Sequence, residues 1–333
     1  MHKLAVGVNW QGNLDRERIF EEAKAADESG VHSIWVAEAW GRDAFTMLTQ
    51  LAERTRQIQL ATGIVNIFSR TPAALAQHFA TLDELSGGRM IIGLGTSGAQ
   101  VIEDFHGIPF DRSMRRLREY VEVINLIIAG TPLNYEGEIF KLGRGFTLRF
   151  DPVRKHIPIV LATMNPASVR QTARIADGWL PIWTPIERIA EEVKRFRDTA
   201  AKAGRDPQSL IVRSPGGITI TKDVERAKQG VAGSFAFYVS RMGVFYYQHL
   251  SRLGYADDVA AIKGAWENKG GSKAGTSAVT EDLQQAVGFV TDSIDAARER
   301  IAEQEAAGID VHDVHVITDD NHERARIYEQ LVS

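Results

Sequence analysis

The residues best spaced to do chemistry lie in Gly93-Leu94-Gly95-Thr96-Ser97-Gly98, directly after Leu85-Ser86-Gly87-Gly88-Arg89-Met90-Ile91-Ile92. The glycines have the spacing of a dinucleotide fingerprint, but such a fingerprint follows the first strand of its domain and opens straight into a helix. Here at least three strand-like runs come earlier, and the next helical pattern starts only near Ser113. The segment therefore reads as a strand end that brings backbone close to a ligand in a different α/β fold, with a nicotinamide enzyme as the alternative. Gly95, Thr96 and Ser97 offer N–H groups and hydroxyls without bulk, which suits a phosphate or a polyol chain as well as it suits a tight turn.

Four other places carry polar groups at strand ends or on the loops after them. Glu38 closes the second strand-like run, where it can face a site as a catalytic carboxylate or cap a neighbouring helix. Trp40 can wall a pocket or pack beneath a loop. Thr163, Met164 and Asn165 end a strand at a helix N-terminus, where partial positive charge favours an anion and where Asn165 also suits plain capping. His106, in Asp104-Phe105-His106-Gly107, lies on a loop where it can donate a proton, bind substrate, or serve only as a hydrogen-bonded structural side chain. His312 and His315 lie three apart on a predicted strand and so point to opposite faces, which argues against a metal site there.

The elements that must position these residues repeat along the chain. Short β-rich runs occur at Leu4 to Val8, Ser33 to Ala37, Ile58 to Thr62, Met90 to Gly93, Ile157 to Ala162, Gly178 to Ile182, Leu210 to Thr221 and Val314 to Ile317. Their apolar residues are mostly continuous, as in strands covered by helices on one side and packed inside on the other. Amphipathic helical patterns alternate with them. Asp15 caps a run carrying Ile19, Phe20, Ala23 and Ala26, and Gly30 stops it. Thr71-Pro72, Asn165-Pro166 and Thr184-Pro185 each place a capping side chain before a proline at the first helical position. The fold class is therefore α/β, predicted as a single (β/α)8 TIM barrel spanning residues 1–333, with an open doubly wound sheet as the alternative. Two segments interrupt the repeat, both read as insertions: a hairpin at about 134–150 after strand four and a longer stretch at about 230–290 after strand seven. The second holds an aromatic cluster, Phe235, Phe237, Tyr238, Met242, Phe245, Tyr246 and Tyr247, that suits either a lid over an apolar pocket or a dimer contact.

Composition narrows the class of partner. With 39 basic and 43 acidic residues the 333-residue chain carries a net charge of −4, which gives no reason to expect nucleic acid or an anionic membrane. There is no cysteine, which excludes disulfides, thiolate metal sites and a cysteine nucleophile. The N-terminus turns polar at Asn9 and Gln11, too soon for a signal-peptide core, and a cytoplasmic location is expected.

Four segments in order give the chain a family likeness: Trp35-Val36-Ala37-Glu38-Ala39-Trp40, Ala61-Thr62-Gly63-Ile64-Val65, Leu82 to Arg89 running through Gly95-Thr96-Ser97, and Ile175-Ala176-Asp177-Gly178-Trp179. Over essentially its whole length the chain resembles the bacterial-luciferase-like superfamily of flavin and deazaflavin oxidoreductases. Within it, the chain looks most like the branch using coenzyme F420, which includes methylenetetrahydromethanopterin reductases, secondary alcohol dehydrogenases and sugar-phosphate dehydrogenases. The resemblance implies a cofactor lying across the C-terminal strand ends and contacting Glu38, Gly63, Ile64, Gly95, Thr96, Ser97, Thr163, Met164 and Asn165. It also implies a non-proline cis peptide at Gly63-Ile64 behind the ring, and a homodimer built from helices near the second and third strands. Glu38 and His106 are the catalytic candidates, and Asn9, Trp40 and Trp183 are assigned to the substrate pocket. Where the sugar-phosphate dehydrogenases carry a histidine and a catalytic glutamate, this chain has Ala39 and Gly98, so their acid/base residues do not transfer. The expected activity is hydride transfer between the deazaflavin ring and a small organic substrate. An FMN-dependent monooxygenase or reductase and a non-catalytic flavin-binding relative are the alternatives.

Overall fold

The computed structural model describes residues 1–8, 13 and 15–333, and of Lys269 only the backbone. Thirteen strands are present among them: β1 (Leu4–Val8), β2 (Ser33–Val36), β3 (Gln59–Thr62), β4 (Val65–Asn66), β5 (Met90–Gly95), β6 (Leu133–Glu136), β7 (Lys141–Phe146), β8 (Ile159–Ala162), β9 (Gly178–Leu180), β10 (Ile211–Val212), β11 (Ile218–Thr221), β12 (Phe289–Thr291) and β13 (His312–Ile317). The main sheet runs β10-β9-β8-β5-β3-β2-β1-β13-β11-β12, with β4 paired to β5, and its described pairings are parallel. A parallel bridge from Arg213 to Val311 ties the end beyond β10 back to the segment entering β13, so the sheet curls into a TIM-barrel-like form. No helix among the described residues is long and apolar enough to cross a membrane.

Alternation along each strand explains why a cavity forms at one end. In β5, Met90, Ile92 and Leu94 face the large core beneath the helices, while Ile91 faces the sheet interior. Ala5, Trp35, Ala61, Val160, Leu180 and Val311 join Ile91 in that inner cluster and plug the interior. One or two steps further along the strands the inward positions shrink to Gly7, Gly63, Gly95 and Ala162, because side chains repeat every second residue. The plug therefore gives way to open space at the C-terminal strand ends, the end at which barrel enzymes work.

Helix starts follow local chemistry in most cases. Asp15 caps Arg16–Glu28, Asp43 caps Ala44–Arg54, Thr71 caps Pro72–Leu85 and Asn165 caps Pro166–Ile175, each accepting a backbone N–H. Thr184 departs from expectation: helix Ile186–Lys202 has no side-chain cap, and the Thr184 hydroxyl lies 3.3 Å from His249 instead. Directly after Gly98 the chain turns helical at Ala99 and continues through the π turn Val101–Phe105, earlier than the expected start near Ser113, but this turn is short and the long helix is Ser113–Ile128.

The seventh predicted strand is broken. Residues 211–221 divide into β10 and β11 because Pro215 lacks an N–H for a ladder, and Gly216 passes so close to Val287 that a Cβ there would sit 2.1 Å from its carbonyl oxygen. The strand β12, which the sequence pattern did not indicate, pairs with β11. The expected hairpin is β6–β7, antiparallel, and its turn is held by the fully buried Glu119, whose carboxylate accepts N–H bonds from Glu138, Ile139 and Phe140 at 2.9, 3.1 and 3.0 Å. The 224–287 segment folds mainly as helices, with Phe235, Val239, Leu250, Val259 and Ile262 in a core of its own.

Candidate active site

A cavity of about 420 Å³ opens at the C-terminal strand ends, within the size range of small-molecule sites. Its walls come from the ends of β2, β3, β5, β8 and β9, from the break between β10 and β11, and from the helix Val224–Arg241 and the segment after it. Of the residues singled out from the sequence, Glu38, Trp40, Gly63, Ile64, Gly95, Thr96, Ser97, Thr163, Met164 and Trp183 all line it. Asn165 stands beside it, its side chain spent on the Ser168 N–H at 2.8 Å. Asn9 lies outside the described residues. His106 does not line the cavity; its Nε2 lies 3.4 Å from Nδ2 of Asn66 in β4.

The back wall is built from backbone. The Gly63–Ile64 peptide is cis, and the Ile64 carbonyl accepts the Glu38 N–H at 3.1 Å, tying the end of β3 to the end of β2. A Cβ at Gly95 would lie 3.0 Å from Ile64 Cδ1 and 3.4 Å from Ala162 Cβ, so those residues touch the glycine closely. Ser97 adopts a left-handed φ of 58°, which turns the chain sharply after β5. Thr163 ends β8 with its hydroxyl 2.9 Å from that of Thr172, and its carbonyl accepts the indole N–H of Trp179.

Glu38 is held from two sides. Its carboxylate accepts Arg70 Nη1 at 2.6 Å and Nη2 at 3.1 Å, and the Ala44 N–H at the start of helix Ala44–Arg54 at 3.0 Å. Arg70 also binds Asp43 at 2.6 Å and stacks on Phe45. Burial opposes the charge on Arg70, yet Glu38 and Asp43 outweigh it and hold the guanidinium above its ordinary value. Burial likewise opposes the charge on Asp43, and the Thr46 donors together with Arg70 hold its carboxyl below the usual range. A carboxylate with three fixed donors is a rigid anchor for the β2 exit.

The roof is aromatic. Trp183, with its N–H on the Pro215 carbonyl and a φ of 42°, packs against Phe235, Tyr238 and Tyr246 at centroid distances of 4.9, 5.5 and 5.2 Å. Burial raises the Tyr238 and Tyr246 phenols, which keeps them protonated and able to donate. Beneath them, buried His249 lies 2.9 Å from the Ile182 carbonyl and 3.3 Å from Arg252, and burial and Arg252 hold its pKa down to about 4. Of the aromatic cluster, Tyr238, Met242 and Tyr246 line the cavity, Phe235 is buried in the core of the 224–287 segment and Phe245 is exposed.

The floor holds two residues that sequence reasoning missed. Arg213, from the end of β10, and Asp313, from β13, form an ion pair with both side chains 15% exposed. The guanidinium lies 4.3 Å over the Trp35 indole. Neither residue belongs to a motif, and only the inward parity of their strands signals them.

A family model described as luciferase-like monooxygenase matches residues 5–311. A Mycobacterium tuberculosis protein assigned as a coenzyme F420-dependent oxidoreductase is 31% identical, covering 99% of each chain. The 5,10-methylenetetrahydromethanopterin reductase of Archaeoglobus fulgidus is 31% identical over 92% of this chain and 91% of its own. Among solved structures, the coenzyme F420-dependent tetrahydromethanopterin reductase of Methanopyrus kandleri superposes with a TM-score of 0.81 over 99% of this chain and 97% of that one, at 23% identity.

Proposed function

Since this chain belongs to the luciferase-like monooxygenase family, we propose that it is a coenzyme F420-dependent oxidoreductase that moves a hydride between the deazaflavin ring and a small organic substrate. The observation that carries this reading is the cavity at the strand ends, whose back wall offers side chains no larger than methyl at Gly63, Gly95 and Ala162. A flat tricyclic ring fits such a wall, because Gly63, Gly95 and Ala162 leave room against it. When bound, F420 supplies the two-electron chemistry itself. The residues of the chain then bind, orient and exclude water. Gly63, Ile64 and Gly95 would back the ring, and Thr96, Ser97, Thr163 and Met164 would hold the chain attached to it, with Asn165 fixing the helix start beside them. Glu38 positions the β2 exit through Arg70, Trp40 and Trp183 flank the substrate, and the Trp183–Tyr238–Tyr246 cover keeps the reacting atoms dry. Tyr238 is a protonated donor in the cavity wall, whereas His106 and its partner Asn66 both lie outside it.

The same reading takes the sheet as an eight-stranded barrel in one domain with the 134–150 and 230–290 segments inserted, and two copies paired through helices Ala44–Arg54 and Pro72–Leu85. The test is a parallel titration of the purified protein with oxidised F420, FMN and a nicotinamide, followed by ring absorbance or fluorescence. Micromolar binding of F420 alone is the expected result; binding of FMN or nicotinamide in its place overturns the cofactor assignment.

A further inference from the structure

We propose that Arg213 places a fixed positive charge, paired with Asp313 through Nη2 alone, against the bound redox ring, where it stabilises the reduced form over the oxidised one. The proposal rests on the F420 reading for the identity of the ring but not for the geometry. Arg213 uses Nη2 on Asp313; Nε is buried without a hydrogen-bond partner, and Nη1 makes no hydrogen bond among the described residues. The buried, unpartnered Nε–H is costly unless something uses it, and the Arg213 side chain lines the cavity, where a ligand can reach it.

Position indicates what that something is. Arg213 directly follows β10, reaches across the floor over Trp35, and brings Nη1 to 3.6 Å from the point where a Cβ on Gly63 would stand. Gly63 begins the cis peptide that forms the back wall. The guanidinium therefore underlies the region that a ring backed by Gly63–Ile64 must occupy. Stability alone does not account for it, since a buried ion pair can commonly be exchanged for apolar residues at little or no cost, and the rest of the floor is apolar. Trp35 fixes the guanidinium plane by stacking, and its own N–H is satisfied by Ser33 at 2.8 Å. Asp313 is fixed in turn, its N–H donating to Ser214 Oγ at 2.8 Å. The charge is thus held before any ligand arrives.

The chemistry such a charge suits is specific. A hydride carries two electrons and one proton, so a heterocycle that accepts one gains one unit of negative charge, delocalised onto its carbonyl oxygens and ring nitrogens. A cation with free N–H groups at that position binds the reduced ring more tightly than the oxidised ring. Its effect is read as a ratio of dissociation constants.

The experiment measures dissociation constants of oxidised and reduced F420, and the midpoint potential of the bound cofactor, for the wild type, Asp313→Asn, Arg213→Gln, and the double variant Arg213→Gln/Asp313→Asn, with folding checked by thermal melting. Losing the Arg213 charge is expected to weaken reduced F420 at least about 10-fold more than oxidised F420, lowering the potential by about 30 mV for the two-electron couple. Asp313→Asn unmasks the charge and is expected to move the ratio and potential the opposite way. The double variant, which leaves no unpaired buried charge, is expected to shift in the same direction as Arg213→Gln but by less, falling between it and the wild type. A structural role would weaken both redox forms together and shift no potential, so equal ratios in all four proteins overturn the proposal. Should the wild type take FMN in place of F420, the cofactor reading fails alone and the same ratios are read on FMN; binding of neither overturns both.

Discussion

Replacing Glu38 by glutamine separates an anchor from a catalyst. The carboxylate, 9% exposed, accepts two bonds from Arg70 and one from the Ala44 N–H. Glutamine keeps one acceptor oxygen and turns an NH2 group toward either the guanidinium or the helix start. Breaking a buried ion pair by removing one partner costs about 3–5 kcal/mol. Arg70 retains Asp43 and is itself about one-fifth exposed, so the loss is smaller, about 2–3 kcal/mol. For a chain of this length, about 2 °C per kcal/mol gives a fall in Tm of about 4–6 °C, readable by scanning calorimetry. Because Glu38 acts through Arg70, Arg70→Met should produce a similar fall, and the double variant should lose much less than the sum, with a coupling of about 1 kcal/mol or more. Turnover per folded molecule should drop less than about 10-fold, with a comparable rise in the dissociation constant of the cofactor as the β2 exit loosens. A Tm within about 1 °C of wild type together with a 100-fold loss of turnover and no coupling to Arg70 would refute the anchor, and would return Glu38 to direct contact with the reacting atoms.

Two further outcomes follow from other parts of the structure. His249 and His312 are buried, and burial is the largest cause holding both down to about 4 from an ordinary 6.5. The unfolded chain therefore takes up protons at a higher pH than the folded one, so stability falls as pH drops from about 6.5 to about 4, by up to about 3 kcal/mol per histidine. Urea unfolding at pH 7 and pH 5 should show that loss, and His249→Gln should flatten part of it; an unchanged slope would exclude His249 as a source. The two inward glycines of β5 should respond differently to alanine, since a Cβ at Gly93 would stand 1.8 Å from the Thr62 carbonyl oxygen, whereas at Gly95 it meets the movable end of Ile64 at 3.0 Å. Gly93→Ala should cost more than about 3 kcal/mol, and Gly95→Ala about 1–2 kcal/mol with at least 10-fold weaker cofactor binding; a Gly93→Ala protein melting like wild type would contradict the packing of β3 against β5.

Much of this protein was legible before folding. Continuous apolar runs marked seven strands to within about two residues, with the seventh run drawn as a single strand where there are two, because strands covered on both faces need apolar residues at both parities. Asp15, Thr71 and Asn165 announced their helices, since a cap acts on backbone only two or three residues away. The small residues at Gly63, Gly95 and Thr96 marked the cavity wall, because close approach of backbone demands them locally. Only the tertiary structure decided the rest. Arg213 meets Asp313 one hundred residues away, and Glu38 meets Arg70 across thirty-two, each pair joined by the curl of the sheet rather than by any local spacing. The Thr184 hydroxyl, predicted as a cap, turns to His249 because the helical cover descends onto that loop. A sequence fixes which residues can alternate inward and outward along a strand, but which inward side chains face one another depends on the order in which strands close around the interior, and that order creates the electrostatics of the floor.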